Sequence, residues 1–203
     1  MIFGNSAANR SRSWKIVTLA LLALAVPFSA RANPAWTMDR LMSALTKVKS
    51  RRVPYTETTT MAILSTPVVS SGTLSFTAPA RLTQHVTSPE DETFQADGDA
   101  LRVLIPSRDI DHTIALRDDP VAWALVEGFR ATFAGDETAL RRFYTLALSG
   151  DEKGWSLTLN PKLPQMAAKV TAIRIEGGAD RIAKVTVDET GGGRMVMIVG
   201  KPR

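Results

Sequence analysis

From Tyr55 onward the sequence is a succession of short runs with a period of two, interrupted by one helical stretch. Tyr55 to Leu64 is rich in threonine and other β-branched residues and reads as a strand. Ser71-Gly72 reads as a turn into Thr73–Thr77, where Leu74 and Phe76 share a face. Ala78-Pro79-Ala80 breaks the chain before a strand over Arg81–Val86, and Thr93–Ala96 follows. Asp97-Gly98 is the strongest short hairpin signal, and Leu101–Ile105 returns from it. Ile110–Leu116 places Ile110, His112, Ile114 and Leu116 on one face, which predicts an inward histidine. A second block predicts strands over Phe143–Leu148, Trp155–Leu159, Ala172–Glu176, Ala183–Val187 and Met195–Val199. Ser149–Gly154, Gly177-Gly178 and Gly191–Gly193 supply the turns, and Pro161 and Pro164 mark a loop. Short strands joined by tight turns predict an antiparallel meander.

Two amphipathic helices accompany these strands. Thr37 is placed to cap the first, with Trp36 before it and Leu41 after it as a hydrophobic staple. Met38, Leu41, Met42, Ala44, Leu45 and Val48 fall on one side, and the helix ends near Lys49. The second starts at the Asp118-Asp119-Pro120 cap and runs to about Phe133. Val121, Leu125, Val126, Phe129 and Phe133 form its apolar arc, whereas Trp123 projects to the other side beside Glu127 and Arg130. Ala134-Gly135-Asp136 stops it, and a short helix follows over Glu137–Arg142. An antiparallel sheet with one apolar face needs this cover. Tight packing would make a filled core, and a sheet too wide to fill would leave a cavity for an acyl chain.

The segment before these elements has a different character. Arg10, Arg12 and Lys15 precede a predominantly apolar run from Ile16 to Val26, and Ala30-Arg31-Ala32 follows. That order is the secretory signal pattern, with cleavage expected after Ala32. The apolar run covers only ~16 Å as a helix, about half a hydrocarbon core, so a spanning anchor is not expected. Residues 33–203 are then expected to form one domain in the bacterial periplasm. The chain has no cysteine, so neither a lipid anchor at the cleavage point nor a disulfide framework is available. Without the four leader cations, the 25 basic residues fall to 21 against 20 acidic, a net charge of +1. Such a balance gives no electrostatic case for nucleic acid or an anionic membrane surface.

Catalytic groups are sparse. Asp109-x-Asp111-His112 is the one cluster resembling a metal site. In a strand the two aspartates face away from the histidine, so the three would not converge. Glu90-Asp91-Glu92 follows Pro89 at a turn, where an acidic run is ordinarily solvated. No phosphate-binding glycine loop and no Gly-x-Ser-x-Gly elbow occurs. No cofactor and no metal is implied, and an enzyme is not expected.

One ordered set of motifs carries a resemblance. Ser71-Gly72 through Ala78-Pro79, then Leu82 through Ser88-Pro89, then Phe94-Gln95-Ala96-Asp97-Gly98 through Leu101, resembles the periplasmic lipoprotein-carrier (LolA) family, in a divergent branch. The first helix leading into Tyr55-Thr-Glu-Thr, the Ala134-Gly135-Asp136 segment, Leu148-Ser-Gly150 and Trp155 through Pro161 extend the likeness over nearly the whole chain after the leader. The resemblance implies a mainly β fold with helices: an unclosed antiparallel β-barrel covered on its concave face by two or three helices. It also implies a monomeric carrier that shields the acyl chains of a lipoprotein or related lipid. The aryl-polyene lipids that accompany the divergent branch are included. The implied partners are an inner-membrane exporter and an outer-membrane acceptor. Two departures stand out. Ala78 occupies the place where the family has an arginine that ties its lid shut, and Leu82, Gln84 and Val86 stand where bulky rings are usual.

The expected lining of the cavity is Leu74, Phe76, Leu82, Val86, Phe94, Leu101, Val103, Ile114, Trp123, Phe129, Phe133, Trp155 and Leu157, some of them ordinary core. The alternatives are an envelope scaffold with a filled core, and an accessory enzyme that handles acyl groups.

Overall fold

The computed structural model describes residues 35–63 and 65–201. The leader with its cleavage site, and Leu64, lie outside them. Helix α1 (Met38–Thr46) comes first, its amide at Arg40 donating to the hydroxyl of the Thr37 cap at 3.4 Å. Lys49 closes its other end, its ammonium donating to the Thr46 carbonyl at 2.9 Å. Leu41, Met42 and Leu45 are buried.

Six strands follow as a meander: β1 (Ser50–Thr60), β2 (Val68–Thr77), β3 (Arg81–Ser88), β4 (Glu92–Asp97), β5 (Ala100–Ile105) and β6 (Ile110–Ala115). Helices α2 (Pro120–Ala134) and α3 (Glu137–Phe143) then lead to β7 (Tyr144–Gly150) and β8 (Trp155–Pro161). The short α4 (Pro164–Ala167) precedes β9 (Val170–Gly178), β10 (Arg181–Glu189) and β11 (Arg194–Val199). All eleven strands form one antiparallel sheet in the order β6-β5-β4-β3-β2-β1-β11-β10-β9-β8-β7. The pairing of β1 with β11 joins the two meanders, Tyr55 lying opposite Val199. Among the described residues β6 and β7 are unpaired edges, so the sheet is not closed.

Two bonds show how far the sheet curls. Arg130 of α2 donates to the Gly98 carbonyl, in the turn between β4 and β5, at 2.6 Å. The Tyr144 hydroxyl, on edge strand β7, donates to the Ala124 carbonyl of the same helix at 2.6 Å. Strands β5 and β7 stand nine spacings apart, roughly 43 Å in a flat sheet. Residues 124 and 130 are only about 9 Å apart along a helix. One helix can hold both places only if the sheet wraps around it.

Three expected turns lie elsewhere. Gly72 is inside β2, opposite Tyr55, at an irregularity in the pairing with β3. A Cβ there would lie 1.9 Å from the His85 carbonyl oxygen, so glycine serves a close backbone approach. Gly177 and Gly178 likewise belong to β9, and the turn falls on Ala179, with φ 52°. The β4–β5 hairpin turns on Gly98 and Asp99, one residue later than expected. Strand β1 begins five residues before the expected Tyr55, because its solvent side accepts Arg52.

His112 lies across from Val103 on β6, as the alternation predicts, yet it is exposed. The helices do not reach over the β6 edge, so an inward face there is not a buried one.

Gly72→Ala is expected to destabilise the protein by about 1–3 kcal/mol in urea unfolding, since backbone rather than a flexible side chain must yield. Gly191→Ala, where an added Cβ meets nothing within 4 Å, should stay within about 0.5 kcal/mol. Equal midpoints for the two variants would contradict the close approach at Gly72.

Candidate functional site

The placement of α2 decides where the interior is full and where it is empty. Its most buried line is made of small residues, Ala124, Gly128 and Ala131. A Cβ on Gly128 would lie 2.8 Å from the Tyr144 hydroxyl oxygen, so this line sits close against the β7 side. Burial pushes the Tyr144 phenol well above its ordinary value, with the Glu127 carboxylate adding to the effect. Under this half the sheet is packed solid, with Trp155, Leu157, Leu159, Ile173, Ile175 and Val185 all buried. The large side chains Leu125, Val126 and Phe129 overhang the other half, and there a cavity remains.

The cavity has two chambers that share Gln84, Phe94, Leu125, Phe129 and Met197. The inner one, about 330 Å³, is walled by Leu74, Leu82, Ala96, Leu101 and Val126 in addition. The outer one, about 620 Å³, adds Val68, Val86, Val187 and Met195, and also Glu57, Glu90, Glu92, Glu189 and Arg108. The register explains this set. Val53, Leu74, Gln84, Phe94 and Val103 form one rung across β1 to β5, with side chains on the same face. Met197 and Glu57 lie opposite each other on β11 and β1.

Polar groups in the wall are organised. Gln84 donates from its amide to the Tyr55 hydroxyl at 3.1 Å and to the Glu57 carboxylate at 3.4 Å. Burial raises the Glu57 carboxyl above the usual range, partly offset by that amide. Glu90 accepts from Arg108 at 2.7 Å and from the Ser107 hydroxyl. The Ser107 hydroxyl first, and Arg108 with it, hold the Glu90 carboxyl below the usual range. Of the other acidic residues singled out in the sequence, Asp91 and Asp111 are occupied at the surface, and Glu92 stands in the wall of the outer chamber. Asp91 lies 2.8 Å from the His85 Nε2, and Asp111 accepts two bonds from Arg102 at 2.6 and 2.7 Å. Asp109 stands in the left-handed conformation ahead of β6, out of strand register with Asp111.

The residues expected to line the cavity separate into groups. Leu74, Leu82, Val86, Phe94, Leu101 and Phe129 stand in its wall. Phe76 and Phe133 pack on each other with ring centroids 5.9 Å apart, in the core with Trp155 and Leu157. Val103 and Ile114 are half-buried on the same face, nearer the β6 edge. Trp123 packs on the Phe143 ring at 5.5 Å, with the Arg142 guanidinium 5.3 Å above it. Its outward side of α2 is therefore covered by α3. Glu127, expected outside with it, is buried at 6 % exposure and paired to Arg130, whose Nε donates to it at 3.0 Å. Glu57, Met195 and Met197 were not singled out in the sequence, and Gln84 was marked only as standing where a bulky ring is usual. The one signal available for Glu57 and Gln84 is their shared alternation with Tyr55 and with Leu82 and Val86.

Among the described residues no helix is long and apolar enough to cross a membrane. Residues 30–199 match the family described as outer membrane lipoprotein carrier protein LolA-like. A comparison with curated proteins gives no match. Among solved structures the chain is similar to a LolA superfamily protein from Nitrosomonas europaea, at 10% identity and TM-score 0.46, covering 83% of this chain and 94% of that one. It is also similar to an outer membrane lipoprotein-sorting protein domain from Vibrio parahaemolyticus, at 9% identity and TM-score 0.47, covering 82% and 90%. A third is the MucA/MucB complex of Pseudomonas aeruginosa, at 12% identity and TM-score 0.41, covering 82% and 58%.

Arg130 ties α2 to the β4–β5 turn and neutralises the buried Glu127 on its own helix. Arg130→Ala leaves a buried carboxylate unpaired and is expected to cost about 3–5 kcal/mol in urea unfolding. The Glu127→Met/Arg130→Met double variant should recover most of that loss. A single variant no worse than the double would mean the pair is solvated.

Proposed function

The chain belongs to the LolA-like family of outer membrane lipoprotein carrier proteins, and from that premise we propose that it carries an acyl chain within the cavity beneath α2. Proteins of this family are periplasmic. The cargo in this reading is the acyl portion of a lipoprotein or a related lipid, an aryl-polyene lipid included. It is taken from an inner-membrane exporter and given to an outer-membrane acceptor.

The observation that carries the proposal is the apolar inner chamber, open into a wider outer one. A filled core would leave no such space, and an envelope scaffold would have no use for it. Each methylene moved from water into an apolar wall contributes ~0.8 kcal/mol. A chain of a dozen carbons therefore binds without any catalytic group or covalent bond. Cargo held by burial alone is also released by offering it another apolar surface, which suits transfer between membranes.

The test is to fill the inner chamber. Ala96 lies in its wall at 3% exposure. Ala96→Phe is expected to weaken binding of the dye N-phenyl-1-naphthylamine by roughly tenfold, a loss of about 1.4 kcal/mol, while the thermal midpoint stays close to wild type. Ala147→Phe, at an exposed position on β7, is the control and should bind the dye normally. A folded Ala96→Phe protein with wild-type dye affinity would overturn the proposal.

A further inference from the structure

The two chambers differ in electrostatics as well as in size. The wall of the inner chamber is apolar except for Gln84. The outer chamber has four glutamates and, among the described residues, one basic side chain, Arg108. Glu90 already neutralises that arginine at 2.7 Å. Glu57, Glu92 and Glu189 have no cationic partner among the described residues. They come from β1, β4 and the end of β10, three strands that are not consecutive in the sheet. Their convergence on one cavity is thus a product of the curl and not of one acidic loop.

Resting on the carrier reading, we propose that the outer chamber receives the head of the cargo and selects an amphiphile with an ammonium-type head over an anionic one. The apolar tail lies in the inner chamber, which fixes the direction of entry. A head lodged in 620 Å³ sits within the ~8 Å screening length of the chamber walls, so salt does not hide the carboxylates from it. Gln84 strengthens the preference. Its amide hydrogens are turned to Tyr55 and Glu57, and its Oε1 has no partner among the described residues. The side chains of the wall therefore offer mainly acceptors, their donors being the Ser70 hydroxyl and Arg108, which Glu90 already engages. An ammonium head satisfies several acceptors at once, whereas a carboxylate or phosphate brings only more acceptors. Burial already raises the Glu57 carboxyl, and a cation beside it would relieve that cost. Such a site also excludes anionic phospholipids, which would otherwise compete for an apolar cavity in any bacterial envelope.

The test uses three ligands with the same tail: tetradecylamine, tetradecanol and myristate, each displacing N-phenyl-1-naphthylamine at neutral pH. Affinities of the amine and the carboxylate are normalised to the alcohol. The wild-type protein is expected to favour the amine over myristate by tenfold or more. In the Glu57→Gln/Glu92→Gln/Glu189→Gln variant that ratio should fall to about threefold or less. If the triple variant does not fold, Glu189→Gln alone, at an exposed position, must still lower the ratio measurably. Equal binding of myristate and amine by the wild type, or a ratio unmoved by these changes, would overturn the inference and leave the carrier reading intact. If none of the three displaces the dye, the carrier reading fails and the selectivity falls with it.

Discussion

One helix bonded both to the β4–β5 turn and to the far edge strand β7 of a wide sheet is the constraint on which this structure depends. Strand β6 ends one meander and β7 begins the other, and only the segment carrying α2 and α3 connects them. The chain must cross the whole sheet in that segment. Arg130 reaches the β4–β5 turn and Ala124 receives the hydroxyl of Tyr144 on β7. With its two ends drawn toward one helix, an eleven-stranded sheet curls. Its natural right-handed twist makes that curl inexpensive. The edge strands β6 and β7 still do not pair with each other.

The same crossing explains why one half of the interior is full and the other is not. A helix can approach a sheet closely only where its own side chains are small. Ala124, Gly128 and Ala131 give that approach on the β7 side, where Trp155 and its neighbours fill the core. Phe129 and Leu125 act as spacers on the other side, holding the helix away from β3, β4 and β5. Small residues toward the sheet half that is packed, large residues toward the half that is hollow: the cavity follows from the sequence of one helix. The bonds from Arg130 to the Gly98 carbonyl and from the Tyr144 hydroxyl to the Ala124 carbonyl then tie the rotation of α2 to the sheet, and Glu127, buried on the same helix, neutralises Arg130.

Much of this was legible without coordinates. Alternating runs gave the strands, Asp119-Pro120 and Gly135 gave the ends of α2, and the β4–β5 hairpin lay within one residue of Asp97-Gly98. What stayed hidden depended on distant neighbours. Gly72 and Gly177 look like turn residues, and only the approach of the next strand's carbonyl shows why they sit inside strands. His112 was correctly placed on a face but not in depth, because alternation does not say how far the helices extend. Leu74 and Leu157 both alternate inward, and nothing in either strand tells which one α2 will cover. Glu57 stayed hidden, and Gln84 stood out only as a missing ring, for a related reason. Inward polar residues break the pattern by which inward faces are recognised, and they make sense only beside a cavity.

These features form one account: the fold of the LolA-like family, a helix that stands away from half the sheet, and a hollow graded from apolar to acidic. The central claim is that an acyl chain occupies that hollow. Native mass spectrometry of the protein, purified without detergent from the envelope fraction of the cells that make it, tests this most directly. The account predicts a second species heavier by one lipid, from which collisional activation releases an acyl-bearing molecule, and which Ala96→Phe diminishes. A single mass equal to the bare polypeptide, unchanged after incubation with lipid extract, would contradict it.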